Sequence, residues 1–506
     1  VSETRSRLLF AKIAPWFGGS LFVILHLLTL GRSPAPHVDE AWLVSRAWGM
    51  AQTGLPYGQL DAGLMENLVD HYWLVYQAGI TTLQSLLLRL AGSPDLLVLR
   101  LFSLFCGVGL LWACYQLMRQ YLSKNMALLA SFFTGLSLAF FHSAHQVRYD
   151  MMAAALGYAS LAIAGNSKKR WGWHWMAGLF LGLSIETHLN SLLFIPAVGL
   201  VYFFRSGWRI LKDPQAWGFA AGGGISILGY LLVHVLPDPG DFWRANQLNF
   251  GSQMGQSLAQ KWASFTDIWI LLLVAGSTFS LLIIPAAMDL WRHGEARQKQ
   301  FLCLSLTIIL TAALIIPYKV AHYAIYITPP VIWLATWWLV RVFQTPWRGQ
   351  WQDFVLRIFA SAALIGNIGL SLSSLIPDGQ AAFQADLALL KPYLRPGDRL
   401  MGSQVYWLGL SDHSYLSWEL LFLYPRAYPG SDLEDALEYY RPDVLLIDQP
   451  VQDLISDQID PSSRWAGYHI SRREWNAFMQ THTVTMIELN TQLNSPLTLY
   501  RITWNP

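Results

Sequence analysis

Residues 73–90, "WLVYQAGITTLQSLLLRL", decide how the rest of the chain is laid out. The run is apolar enough either to cross a bilayer or to lie along its surface. If it crosses, every later loop changes sides. Lys and Arg positions choose between the two, because short cytoplasmic loops are enriched in them. Arg5, Arg7 and Lys12 put the N-terminus inside. With 73–90 in the membrane plane, the loops on that side hold Arg119 and Lys124, then Lys168, Lys169 and Arg170. Further along they hold Arg205, Arg209 and Lys212, then Arg292, Arg297 and Lys299, then Arg341 and Arg348. The opposite loops carry only scattered basic residues. The in-plane placement is therefore preferred.

Working outward, apolar runs recur along most of the chain. Of 506 residues, 54% are hydrophobic and 13% charged, whereas soluble domains carry about 25% charged residues. Spans are predicted at 12–31, 97–118, 126–142, 151–165, 172–186, 190–205, 215–236, 268–290, 300–317, 322–341 and 354–376. The first is expected to be a retained helix, since "VSETRSRLLFAKIAPW" is followed by no small-residue cleavage site. The 24 Trp residues gather near the ends of apolar runs, as in interfacial aromatic belts. Cys106, Cys114 and Cys303 all lie inside apolar runs, which excludes a disulfide framework and a cysteine zinc site. The net charge of +2 says little about partners, and no nucleic-acid partner is expected.

From 377 the composition becomes that of a soluble domain. "LEDALEYYRPDVLLIDQP" predicts helix, turn and buried strand, while "HTVTMIELN" and "LTLYRITW" alternate as strands do. The expected fold is a polytopic α-helical membrane protein with about 11–13 transmembrane helices and a C-terminal extracytoplasmic α/β domain. Residues 1–376 form the membrane domain, whose first outer loop, 32–96, carries amphipathic juxtamembrane helices. Residues 377–506 form the soluble domain, whose Asp and Arg residues read as solvated surface without a catalytic constellation. The stretch 240–262, "GDFWRANQLNFGSQMGQSLAQKW", reads as an amphipathic segment on the membrane surface.

The predicted outer loops and span ends collect the polar residues of the membrane half. They are Asp39, Glu40, Glu66, Asp70 and His71; His142, His145, Arg148 and Asp150; Glu186, His188 and Asn190; and Lys319, His322 and Tyr323. Placing a charge within a bilayer costs about 2.5–3.5 kcal/mol on insertion scales, so such groups usually line a wet, working cavity. Each also has a structural explanation. Asp39 and Glu40 open a helix and favour its dipole, Arg148 and Asp150 make an ion pair, and Lys319 snorkels. Together they offer carboxylates as general base and cations as phosphate ligands. That combination points to group transfer from a lipid phosphate. The alternative is a lipid or solute transporter without covalent chemistry. Transporters put ionisable groups in broken, repeat-related helices near the midplane, and no repeat is visible here.

"HVDEAWLVSRAW" resembles the Asp-Glu motif of the GT-C membrane glycosyltransferases, within them the protein O-mannosyltransferase and lipid A aminoarabinose transferase group. "RYDMMAAALGYASLA" is similar to that group's Arg-Pro-Asp-Met segment, and "PYKVAHYAIYITPPVIWLA" to its Lys-x-x-His-Tyr segment. "ENLVDHYWLVYQ" lines up with its Glu-Lys-Pro-Pro-x-x-Tyr-Trp segment. The resemblance implies an inverting transferase using a polyprenyl-phosphate sugar as co-substrate, with no metal required for the chemistry. It implies Asp39 as catalytic carboxylate supported by Glu40. It also implies a donor pocket shaped by Arg148, Asp150, Lys319, His322 and Tyr323, to which Glu66, His71, Glu186 and His188 are added by their position. The chain departs from the pattern at Trp42, where Arg is usual, at Tyr149, where Pro is usual, and at Asn67, where Lys is usual; both prolines after that Lys are missing.

Overall fold

The structure is a computed structural model and describes residues 20–63, 70–166, 170–254, 266, 277–316, 321–345, 350–373, 376–456 and 469–504. The chain divides into two compact units. One comprises residues 1–31, 100–236 and 249–377, and the other 32–99, 237–248 and 378–506. The first outer loop thus groups with the C-terminal domain.

The first unit is helical. After a helical stretch at 20–27 and the α1 and α2 segments described below, its helices run as follows. They are α3 (Leu96–Met118), α4 (Lys124–Gly135), α5 (Leu138–Ala144), α6 (Tyr149–Ala164), α7 (Trp171–Thr187), α8 (Phe194–Ser206) and α9 (Pro214–Tyr230). After α10 (Pro239–Met254) come α11 (Ile283–His293), α12 (Ala296–Ile315), α13 (Thr328–Gln344) and α14 (Trp351–Ser373). Among the described residues, five helical segments are long and apolar enough to cross a membrane, six if a bent pair counts as one. This is an integral, multi-pass membrane protein. Helix is present in every predicted span, but several spans are broken. The run at 126–142 divides into α4 and α5, bent by 62°. Ser137 makes the break: its Oγ accepts the Phe140 N–H and donates to the Thr134 carbonyl, so a side chain replaces the helical ladder there. α9 ends in a π turn, Leu231–Val235.

Helices α7 and α9 approach closely through glycine. A Cβ on Gly178 would lie 1.9 Å from the Phe219 carbonyl oxygen, and one on Gly222 1.9 Å from that of Trp175. Small residues allow such contact where lipid supplies no hydrophobic drive between helices. At the core, Trp333 stacks on Phe301 and meets Tyr158 edge-on. α13 is buried all round from Thr328 to Leu339, as expected of a helix apolar on every face.

The second unit is built on α1 (Val38–Thr53), α2 (Ala78–Ala91) and a five-stranded sheet. The 14 residues of α2 reach only about 21 Å, short of the ~30 Å hydrocarbon core. α2 packs on α1 with Ile80, Thr81, Gln84, Ser85 and Leu88 turned inward, while Leu83, Leu86 and Leu90 are exposed.

The strands are β1 (Arg399–Gly402), β2 (Ser414–Ser417), β3 (Val444–Asp448), β4 (Thr483–Leu489) and β5 (Leu497–Thr503). Their order is β2-β1-β3-β5-β4, with β1 parallel to β2 and β3, and β5 antiparallel to β3 and β4. All of β3 is buried, as a central strand covered on both faces should be. The predicted strands at 444–448, 483–489 and 497–503 and the helix Leu433–Tyr440 are all present. The domain's charges are less superficial than expected. Arg501 pairs with Asp398 at 2.8 Å and 3.2 Å, and the buried Asp386 carboxylate accepts the Gln492 and Leu493 N–H groups. These residues organise loops instead of facing water.

α1 is held against this domain. It packs on the 404–410 segment, and Gln59, just after it, donates to the His413 carbonyl and accepts from Trp407 Nε1.

Candidate active site

The sequence His37-Val-Asp-Glu starts α1 with a capping box. His37 Nδ1 accepts the Asp39 N–H at 3.2 Å, and the Glu40 carboxylate accepts the His37 N–H at 3.0 Å. Glu40 is fully buried, whereas the Asp39 side chain keeps 41% of its surface exposed. The two adjacent acids therefore differ. Glu40 satisfies a helix terminus, and Asp39 presents a partly exposed carboxylate on the first turn, 3.7 Å from His37 Nδ1.

Two turns along the same helix, Arg46 binds Asp61 through both Nε and Nη2, each at 3.0 Å from Oδ1. Tyr76 donates to the same carboxylate at 2.9 Å, and so does the Gly58 N–H. The guanidinium lies 3.6 Å from the Tyr76 ring centroid and 5.3 Å from that of Trp42. Trp42, standing where the resembling group carries Arg, thus flanks a cation one turn further on. Sequence reasoning passed over Arg46 and Asp61. The spacing of Asp39 and Arg46 on one helical face was the available signal for the first; nothing local marks the second.

A second cluster lies in the first unit. Arg148 precedes α6 and its Nε donates to Asp150 Oδ2 at 2.8 Å. Asp150 is fully buried. Its other oxygen lies 3.6 Å from His188 Nε2. His188 sits at the turn after α7, where its Nδ1 accepts the Asn190 N–H, which leaves Nε2 as the protonated nitrogen facing Asp150. Tyr323 packs edge-on against His188 and lies 5.9 Å from the Arg148 guanidinium. His322 adjoins Tyr323, acts electrostatically on Asp150, and accepts Ser143 Oγ through its carbonyl. Arg148, Asp150, His188, His322 and Tyr323 are thus brought together from three separated segments.

Other predicted residues lie elsewhere. Glu186 pairs with His234 of the π turn at 3.6 Å, beneath the stacked Tyr230 ring. His71 binds Asp241 at 3.0 Å and lies 3.5 Å from Asp238; these three side chains have a spacing that could hold a cation, as do Glu434, Glu438 and His482. Buried His145 lies 3.1 Å from His26 and belongs to helix packing. Glu66 and Lys319 lie outside the described residues.

Sequence reasoning also missed Glu419. It stands half-buried after β2, in the same unit as Asp39 and Arg46. Burial pushes its carboxyl up to about 7, against the pull of Arg46, and Asp39 pushes in the same direction as burial.

The chain thus has an apolar multi-helix unit and a second unit built around a small mixed sheet. Comparison with known proteins assigns the fold. Residues 79–232 match the dolichyl-phosphate-mannose-protein mannosyltransferase family. ArnT from Cupriavidus metallidurans, in its structure bound to undecaprenyl phosphate, aligns with a TM-score of 0.56 at 12% identity, over 96% of this chain and 97% of that one. Its apo structure aligns with a TM-score of 0.56 at 13% identity, over 99% and 98%. The oligosaccharyltransferase of Archaeoglobus fulgidus aligns less closely, with a TM-score of 0.47 at 10% identity over 87% and 70%. No curated protein matches the sequence. The matching family is one of mannosyltransferases, and the chain has the GT-C fold that it shares with ArnT.

Proposed function

We propose that the protein is an inverting glycosyltransferase that moves a sugar from a polyprenyl-phosphate donor to an acceptor on the non-cytoplasmic face. The observation that carries this is the buried Arg148–Asp150–His188 cluster with His322 and Tyr323. A cation, two imidazoles and a phenol at helix ends are a costly arrangement inside an apolar body, and suit an anionic headgroup. The likeness to ArnT, which was solved with undecaprenyl phosphate, points the same way.

Sidedness follows from charge. The cluster lies at the start of α6 and the end of α7. The loop joining their other ends carries Lys168, Lys169 and Arg170 and is assigned to the cytoplasm. The cluster is then extracytoplasmic, and so is the C-terminal domain.

In the transfer, Asp39 takes the proton of the acceptor hydroxyl as that oxygen bonds to the sugar anomeric carbon. The bond from that carbon to the donor phosphate breaks, and its electron pair leaves on phosphate oxygen. Stabilising the departing phosphate requires a cation, and by sequence Arg148 and Lys319 are the candidates for that role. A single displacement inverts the anomeric centre. No metal is assigned to the chemistry.

The test uses proteoliposomes containing the full chain, undecaprenyl-phosphate mannose as probe donor, and a bacterial lipid extract as acceptor source. The expected result is release of free undecaprenyl phosphate with label in a new product, lost in Asp39→Asn. Movement of intact donor across the bilayer without release of undecaprenyl phosphate would overturn the proposal in favour of a transporter.

A further inference from the structure

A cleft of about 500 Å³ opens in the second unit, at the turn between helix Leu420–Ala427 and helix Leu433–Tyr440. Its size falls in the range of small-molecule sites. The turn is tight. The Ser431 N–H and Oγ both donate to the Tyr428 carbonyl, at 3.1 Å and 2.6 Å. Gly430 takes a left-handed φ of 100°, which glycine adopts without steric cost. Tyr424, Tyr428, Tyr439, Asp435 and Glu438 line the cleft, and among the described residues no basic side chain does.

The rings make one aromatic surface. Between ring centroids, Tyr424 lies 4.6 Å from Tyr428 and 5.1 Å from Tyr439. Tyr440 meets Tyr424 and Tyr439 edge-on. It is buried, and its Oη donates to the Gly63 carbonyl at 3.1 Å, which anchors the surface. Tyr428 and Tyr439, by contrast, keep 37% and 57% of their surface exposed. Residues 431–440 carry four acids and no Lys or Arg. Asp435 accepts the Asp432 N–H at 3.0 Å, which orients its carboxylate without cancelling the charge. Glu438 stands four residues after Glu434 on the same helix, a like-charge spacing that is unfavourable by itself. His482 is the imidazole beside them, 4.0 Å from Glu434 and within 4.8 Å of Glu438.

We infer that this cleft is a binding site for an ammonium group, primary or quaternary, held by the rings of Tyr428 and Tyr439 and by the charge of Asp435 and Glu438. The face of a phenol ring carries the negative end of its quadrupole, so rings and carboxylates attract the same kind of ligand, a cation. Both also repel an anion. None of these side chains takes part in the transfer described above, so the site stands or falls apart from it. An ammonium group can arrive on a soluble amine or on an ethanolamine lipid headgroup; the chemistry recognised is the same.

The experiment titrates the full chain, in maltoside micelles and after dialysis against EDTA, with choline, with ethanolamine and with mannose as the uncharged comparison. Both amines are expected to bind saturably, with dissociation constants roughly in the millimolar range, and mannose is expected not to bind. Glu438→Gln and Tyr439→Leu should each weaken amine binding about three- to tenfold and leave the unfolding midpoint where it is. Tyr439→Phe, which keeps the ring, should bind as the wild type does. Absence of saturable binding by both amines, equal binding of mannose, or unchanged affinity in either Glu438→Gln or Tyr439→Leu would overturn the proposal. Repeating the choline titration in liposomes separates the two sources. Loss of choline binding in phosphatidylethanolamine but not in phosphatidylglycerol assigns the group to a lipid headgroup. Equal binding in both lipids assigns it to a soluble amine.

Discussion

The protein holds two groups of acids and bases built from the same residue types and used differently. In the membrane unit, Asp150 is fully buried, with Arg148 on one oxygen and His188 near the other. In the unit containing α1, Asp61 is locked to Arg46, Glu40 caps the helix, and Asp39 keeps 41% of its side chain exposed with His37 Nδ1 3.7 Å away. A buried ion pair is weak evidence of stabilisation, yet breaking one is costly. The first group therefore holds Arg148 in place by burial and pairing, and the second leaves the Asp39 side chain 41% exposed. Motif recognition points to Arg148 and Asp150 in the first and to Asp39 and Glu40 in the second, but only burial and partners tell the groups apart.

The comparison is sharpened first at Asp39. Asp39→Asn removes the proton acceptor without disturbing the capping box, so transfer should fall by about 10²–10⁴-fold with the melting temperature unchanged. Next comes Asp150→Ala, which leaves Arg148 buried without its carboxylate. It should cost about 3–5 kcal/mol, read as a lowered unfolding midpoint in detergent and a loss of folded protein. If it lost transfer but no stability, the division drawn here between architecture and chemistry would be broken.

Glu419 gives a third test, in pH dependence of stability. Its folded-state carboxyl titrates at about 7 against an ordinary 4.5, so the folded state holds the proton more tightly than the unfolded chain. This contribution is fully present below about pH 4.5 and is lost as pH rises through about 7. It amounts to at most about 3 kcal/mol. Glu419→Gln should flatten that slope in urea titrations of the full chain. The smallest effect belongs to Glu40→Ala, which removes half of the capping box and should cost about 1 kcal/mol. A loss as large as that of Asp150→Ala would show that Glu40 does more than cap.

Much of the fold was legible in the sequence. The period-two runs at 483–489 and 497–503 and the apolar run at 444–448 are strands, because alternation and burial dictate them directly. The predicted spans contain helix, but their breaks were not legible. They depend on where a side chain such as Ser137 takes over a backbone bond. The cluster around Asp150 could be anticipated because Arg148 and Asp150 are neighbours in the chain and His188 and His322 end predicted spans. Glu419 could not. It lies hundreds of residues from Asp39, and its special character comes from desolvation and from charges carried by another segment. The grouping of 32–99 and 237–248 with 378–506 has no local signature for the same reason: composition marks a domain's own boundary but not which distant segment packs on it.

The docking of α1 on the 404–410 segment has a consequence for synthesis. β5 lies between β3 and β4 in the sheet, so the sheet is completed only after β5, which follows both in the chain, has emerged. Until then α1 has no finished platform. The surface on which α1 rests is therefore assembled after synthesis of β5, later than the membrane helices that precede it in the chain.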